Sequence, residues 1–141
     1  MRSRPVLRVV ILILIVIGVL IAAVYLYPNP HVPFEELYAD VGPQTVESLR
    51  AFRETYPPRQ IEVDGVTWEY VALGQGEEAI LFLHGMSGAY DIWWQVMEAL
   101  QDRYRVISVT YPAVDTLEGL SRGVLAILDE EGVDRVTVVG S

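Results

Sequence analysis

The run from Val9 to Leu26, VVILILIVIGVLIAAVYL, constrains this chain more than any other feature. It carries no charge, and only Gly18 and Tyr25 interrupt the aliphatic residues. Its 18 residues, at the rise of an α-helix, span roughly 27 Å, close to the hydrocarbon thickness of a bilayer. A core helix of a soluble domain would show a polar stripe, and this run has none. A cleaved signal peptide has a shorter apolar region, about 7–15 residues, ending in a small-x-small site. Ala22 and Ala23 are adjacent and match that site poorly. The reading is an uncleaved transmembrane anchor over residues 9–27, with a signal peptide as the alternative. Arg2, Arg4 and Arg8 precede the run, and no Arg or Lys lies between Tyr27 and Pro33. Retention of positive charge then predicts a single-pass protein of the cell membrane, with residues 1–8 cytoplasmic and the remainder exported. The bilayer is the expected partner of Val9 to Tyr27, with Tyr25 and Tyr27 at the outer interface.

The anchor explains why 52% of the 141 residues are hydrophobic and why mean hydropathy is +0.31. Beyond it the chain is acidic. All ten basic residues are Arg and three precede the anchor, which leaves seven against nineteen acids, a net −12. Such a balance excludes a nucleic-acid partner, which needs a basic face. There is no cysteine, hence no disulfide or thiolate metal site. The two histidines, His31 and His84, are isolated, so no metal or cofactor site is expected. Gly74-Gln75-Gly76 precedes a strand and not a helix, which removes a dinucleotide reading.

Residues 28–59 read as a Pro-rich spacer followed by a stalk or cap helix. Pro28, Pro30 and Pro33 cannot continue a helix. A polar helical stretch from Phe34 to Tyr56, broken near Gly42-Pro43, places Val46, Leu49 and Phe52 or Arg53 on one face. Residues 60–141 form the folded domain. Ile61 and Val63, then Asp64-Gly65, then Val66, Trp68, Tyr70 and Ala72 predict a β-hairpin. Ala79 to Leu83, AILFL, is a continuous apolar run, as in a strand buried on both faces. Trp93, Val96, Met97 and Leu100 mark a helix face within Tyr90 to Leu100, and Tyr104 to Thr110 reads as a strand. Asp115, with Glu118 three residues on, predicts a capping box. The helix it opens would bury Leu117, Leu120, Val124 and Ile127 or Leu128, and end at Gly132. Val136 to Val139 is the next buried strand. The fold class is therefore α/β, an N-terminal antiparallel hairpin leading into a parallel sheet with crossover helices.

Two strand ends carry the candidate chemistry. Leu83-His84-Gly85-Met86-Ser87-Gly88 can turn sharply and leave backbone N–H groups facing a cleft, where they can stabilise an oxyanion. At Val136-Thr137-Val138-Val139-Gly140-Ser141 a buried strand runs into Gly-x, the start of a nucleophile elbow. Were Ser141 itself the nucleophile, Val139 would stand where a crowded turn wants glycine.

With these motifs in this order, residues 60–141 resemble the N-terminal half of the α/β-hydrolase family, and YRVISVTYP (Tyr104 to Pro112) is similar to its maspardin-type branch. The resemblance implies that Met86 supplies one oxyanion-hole N–H and that His84, Gly85 and Gly88 shape the loop. It also implies that Gly140 and Ser141 open the elbow, with a nucleophile directly after Ser141 and the acid and base later. The implied function of a complete protein is a membrane-anchored serine hydrolase, esterase- or lipase-like, acting on a small ester or acyl substrate. The alternatives are a non-catalytic interaction protein on the same fold and a relative with Asp as nucleophile. The 141 residues by themselves are expected to be inactive, and to fold poorly because Val136 to Val139 would be an uncovered apolar edge.

Overall fold

The structure is a computed structural model that describes residues 4–27, 32–85 and 88–140. His31, Met86, Ser87 and Ser141 fall outside the described residues. The chain divides into two compact units, Met1–Asp40 and Val41–Ser141.

The first unit holds helix α1 (Arg4–Leu26) and the single turn α2 (Phe34–Leu37). α1 begins before the apolar run, because Pro5 is tolerated within a first helical turn. Its Leu7–Leu26 portion is 20 residues long with hydropathy 3.4 and is wholly uncovered by protein, so it is long and apolar enough to cross a membrane.

The second unit begins with α3 (Pro43–Thr55), followed by β1 (Arg59–Val63) and β2 (Val66–Leu73). Asp64 and Gly65, at φ 54° and 76°, supply the two left-handed residues that this tight hairpin needs. β3 (Ala79–Leu83), α4 (Trp94–Leu100), β4 (Arg105–Thr110), α5 (Leu117–Glu130) and β5 (Val136–Gly140) complete it. The sheet order is β1-β2-β4-β3-β5. β1 and β2 are antiparallel, as are β2 and β4, whereas β4, β3 and β5 run parallel.

Alternation along the strands divides the core between the two faces of the sheet. Trp68, Tyr70, Leu81, Ile107 and Val109 pack with Ile127 and Leu128 of α5. Val71, Leu73, Phe82 and Val106 pack with Met97 of α4 and Phe52 of α3. Phe52 and Met97 are fully buried, and each such side chain contributes about 1.5–3 kcal/mol. α3 thus belongs to the body of the domain, so the compact unit starts at Val41, where the sequence reading had placed spacer and stalk up to residue 59.

Three details depart from the sequence reading. α4 turns Trp93, Trp94, Met97 and Leu100 toward the sheet, and the bulk of the two indoles rotates Val96 to the exposed side. α5 is capped by Thr116, whose hydroxyl accepts from Gly119 N at 3.1 Å, and not by Asp115. Leu117 then falls at the first helical position, 82% exposed. β5 lies at the edge of the sheet with Val138 56% exposed, in line with the uncovered apolar edge expected of this strand.

Glu131, at the C-terminus of α5, is buried and gathers three partners. Its carboxylate accepts from Arg59 Nη1 at 2.5 Å, from Tyr70 Oη at 2.9 Å, and from Arg105 Nη2. This cluster ties α5 to β1, β2 and β4. Burial pushes the Glu131 carboxyl up, but the hydrogen bonds from Arg105 and Tyr70 and the charges of Arg59 and Arg105 outweigh it. The group is held below its ordinary value.

Candidate functional site

From β3 the chain passes through α4 to β4 on one side, and from β4 through α5 to β5 on the other side of β3. The connections therefore reverse at β3, and open α/β sheets bind ligands outside the strand carboxyl ends at such a reversal. Leu83 and Gly140 are register partners there, the last residues of β3 and β5. The structure thereby brings together the two strand ends singled out in the sequence, His84-Gly85 and Gly140.

His84 is 7% exposed. Its Nδ1 lies 2.5 Å from the Gly85 carbonyl oxygen, which can only accept, so Nδ1 carries the hydrogen in this contact. Nε2 is left buried with no hydrogen-bond partner among the described residues. The imidazole faces the Tyr111 ring at 4.2 Å between centroids, and Tyr111 meets Trp68 edge-on at 6.5 Å. Gly88 returns to the His84 ring so closely that a Cβ there would sit 2.5 Å from His84 Cβ. Only a residue without a side chain fits. At Gly140, by contrast, a Cβ would meet Leu83 O at an ordinary 3.7 Å. Met86 and Ser141, the two remaining residues singled out, lie outside the described residues.

The segment after Gly88 is fastened to neighbouring elements. Tyr90 N donates to Thr110 Oγ1 at 2.9 Å, and Asp91, 8% exposed, accepts from Arg53 Nε at 2.6 Å. Burial raises the Tyr111 phenol above its ordinary value. It does the same for Tyr90, reinforced by Asp91 and opposed by Arg53. Both hydroxyls therefore remain protonated donors at neutral pH. On the hairpin side an open cleft of about 430 Å³ is lined by Gln60, Thr67, Glu69, Thr110, Tyr111 and Pro112. Among the described residues no group of three or more His, Cys, Asp or Glu is placed to share a metal ion.

The sequence reading missed Tyr111 as a site residue, although its parity with Ile107 and Val109 along β4 placed it on the α5 face. It also missed the Arg53–Asp91 pair. These residues are 38 positions apart and carry no local signal.

No family model matches the chain. A curated protein of Cupriavidus necator, the dihydrolipoyllysine-residue acetyltransferase component of an acetoin cleaving system, is 33% identical over 88 residues. That match covers 56% of this chain and 24% of the relative. An epoxide hydrolase from Vigna radiata superposes with a TM-score of 0.54 at 26% identity, over 62% of this chain and 32% of its own. Epoxide hydrolase A from Mycobacterium thermoresistibile gives 0.52 at 22% identity, over 60% of this chain and 31% of its own. A substituted form of aCif gives 0.55 at 18% identity, over 80% and 40%. The last two likenesses speak for the fold alone. The chain spans 31% to 40% of the length of these solved structures.

The architecture is that of an α/β-hydrolase fold, with an antiparallel hairpin, a mixed sheet with crossover helices and one N-terminal apolar helix. Its structural neighbours include epoxide hydrolases.

Proposed function

We propose that the complete protein is a serine hydrolase held in the cell membrane by α1, acting outside the cytoplasm on a small ester or related acyl substrate. The observation that carries this reading is the pairing of Leu83 with Gly140 at the reversal point of the sheet. It sets the His84-Gly85 loop beside the strand end from which an elbow would rise. The hydroxyl of a serine following Ser141 attacks the acyl carbon, and a base contributed by later sequence takes its proton. The tetrahedral oxyanion is held by the backbone N–H of Met86 and that of the residue after the nucleophile. Collapse expels the alcohol, which recovers the proton, and water then releases the acid from the acyl-enzyme. His84, braced by Gly85 O, Gly88 and Tyr111, keeps the shape of the loop. The acetyltransferase name of the curated relative is in keeping with acyl chemistry. For α1, the support is the length and hydropathy of Leu7–Leu26 together with the Arg residues before it.

A second reading takes an epoxide as substrate, on the strength of the Vigna radiata neighbour. A fluorophosphonate probe applied to the complete protein separates the two. Covalent labelling of the serine after Ser141, blocked by its replacement with alanine, is the expected result. An intact, correctly folded protein that stays unlabelled sinks the serine-hydrolase reading, and turnover of an epoxide by that protein establishes the second.

A further inference from the structure

Three side-chain hydrogen bonds from α3 and its C-cap residue Tyr56 reach the segment that leads away from the candidate site. Ser48 Oγ accepts from Trp94 Nε1 at 3.2 Å, Arg53 Nε donates to Asp91 Oδ2 at 2.6 Å, and Tyr56 Oη donates to Gln101 Oε1 at 2.7 Å. Residues 88–94 have weak bonding of their own. Gly88 N to Gly85 O is 3.3 Å, Ile92 N to Ala89 O is 3.1 Å, and Trp94 N to Asp91 O is 3.2 Å, isolated turns of which only the last runs on into α4. Besides the packing of Tyr90, Trp93 and Trp94 on the core, this segment is held from outside by Thr110 on one side and by Arg53 on the other. Arg53 leaves 37% of its side chain exposed, while the Asp91 side chain is 11% exposed. Arg53 neutralises a nearly buried carboxylate in the segment that brings Gly88 against His84.

We propose that Arg53 and Asp91 are positioning residues for the active-site loop, with α3 serving as the splint that holds residues 88–91 against the end of β3. This inference rests on the hydrolase reading for its effect on turnover, though not for its effect on the loop. α3 is thereby a part of the site, contributed by sequence that precedes the hairpin.

The test compares the complete protein with its Arg53→Met and Arg53→Lys variants, in lipid nanodiscs, by amide hydrogen exchange and by ester turnover. In Arg53→Met the amides of Gly88, Tyr90 and Ile92 should exchange roughly tenfold faster while those of Leu81 and Ile107 stay within about twofold. kcat should fall about tenfold with KM nearly unchanged, because misplacing a loop by a fraction of an ångström weakens transition-state contacts. Arg53→Lys, which keeps the charge, should recover part of both losses. Unchanged exchange at Gly88, Tyr90 and Ile92, or a rise spread evenly over the sheet, overturns the proposal. If the parent protein fails to react with the fluorophosphonate, the hydrolase reading fails, and the exchange comparison still decides whether Arg53 positions the loop.

Discussion

Replacing Gly123 by alanine should destabilise the domain by about 2 kcal/mol, opposite in sign to the usual gain from removing glycine inside a helix. Gly123 is on the buried face of α5, and a Cβ there would lie 1.9 Å from Trp68 Cζ2 and 2.1 Å from Cε2. The indole cannot give way. Trp68 is 1% exposed and packs among Tyr70, Ile107 and Val109 in the same cluster. The helix gains about 1 kcal/mol from alanine, but overpacking a filled core costs about 1–3 kcal/mol and more when backbone has to shift. For a domain of this size the melting midpoint should drop by roughly 10 °C. Urea and thermal unfolding followed by tryptophan fluorescence measure it. A variant as stable as the parent would mean that α5 does not lie on Trp68 as described. Because Trp68 meets Tyr111 and Tyr111 meets His84, the same substitution should also disturb the candidate site.

Glu131→Gln should cost a comparable amount at neutral pH, about 2 kcal/mol. Breaking a buried ion pair costs about 3–5 kcal/mol. The value here is lower because Arg59 and Arg105, with side chains 57% and 34% exposed, can turn toward water. The pH dependence has a definite sign. The folded-state carboxyl lies below its ordinary value of 4.5, so the unfolded chain takes up a proton first as pH falls. The stabilisation is fully present above the ordinary value and drains away as pH drops through the folded one. The gap between parent and Glu131→Gln should therefore be widest near neutrality and close in acid. Unfolding free energies from pH 7 to pH 3 measure it, and a gap just as wide at the acid end would mean that Glu131 is not held as an ion.

The local features of the fold were legible in the sequence. Asp64-Gly65 permits little but a tight hairpin, and AILFL has no polar position to offer a solvent face. The alternation of strand and helix then implied the parallel sheet. The failures came where neighbours decide. The two indoles of Trp93 and Trp94 outweighed the spacing that had put Val96 on the buried face. Thr116 took the cap from Asp115 and pushed Leu117 into solvent. Gly123 looks from sequence like a weak point in a helix, and only the structure shows the indole that requires it. At the site, the approach of His84-Gly85 to Gly140 followed from their places at strand ends. The stack of His84 on Tyr111 and the ion pair of Arg53 with Asp91 join residues 27 and 38 positions apart, and no periodicity carries such information.

The strand order has a consequence for how the chain is made. β3 finds its neighbours only in β4 and β5, both of which are synthesised after it. The β1–β2 hairpin can close within microseconds of emerging, yet its own inner edge also waits for β4. At about 5–20 residues per second, the 21 residues between Leu83 and Arg105 keep an all-apolar strand open on both edges for roughly a second or more. That exposure comes after α1, the apolar N-terminal helix, has emerged. A nascent chain of this order is vulnerable to mispairing in the interval before β4 appears. Whatever escorts it has to shield β3 until then, and slowing synthesis between the codons for Leu83 and Arg105 would lower the yield of folded protein more than the same pause placed before β1.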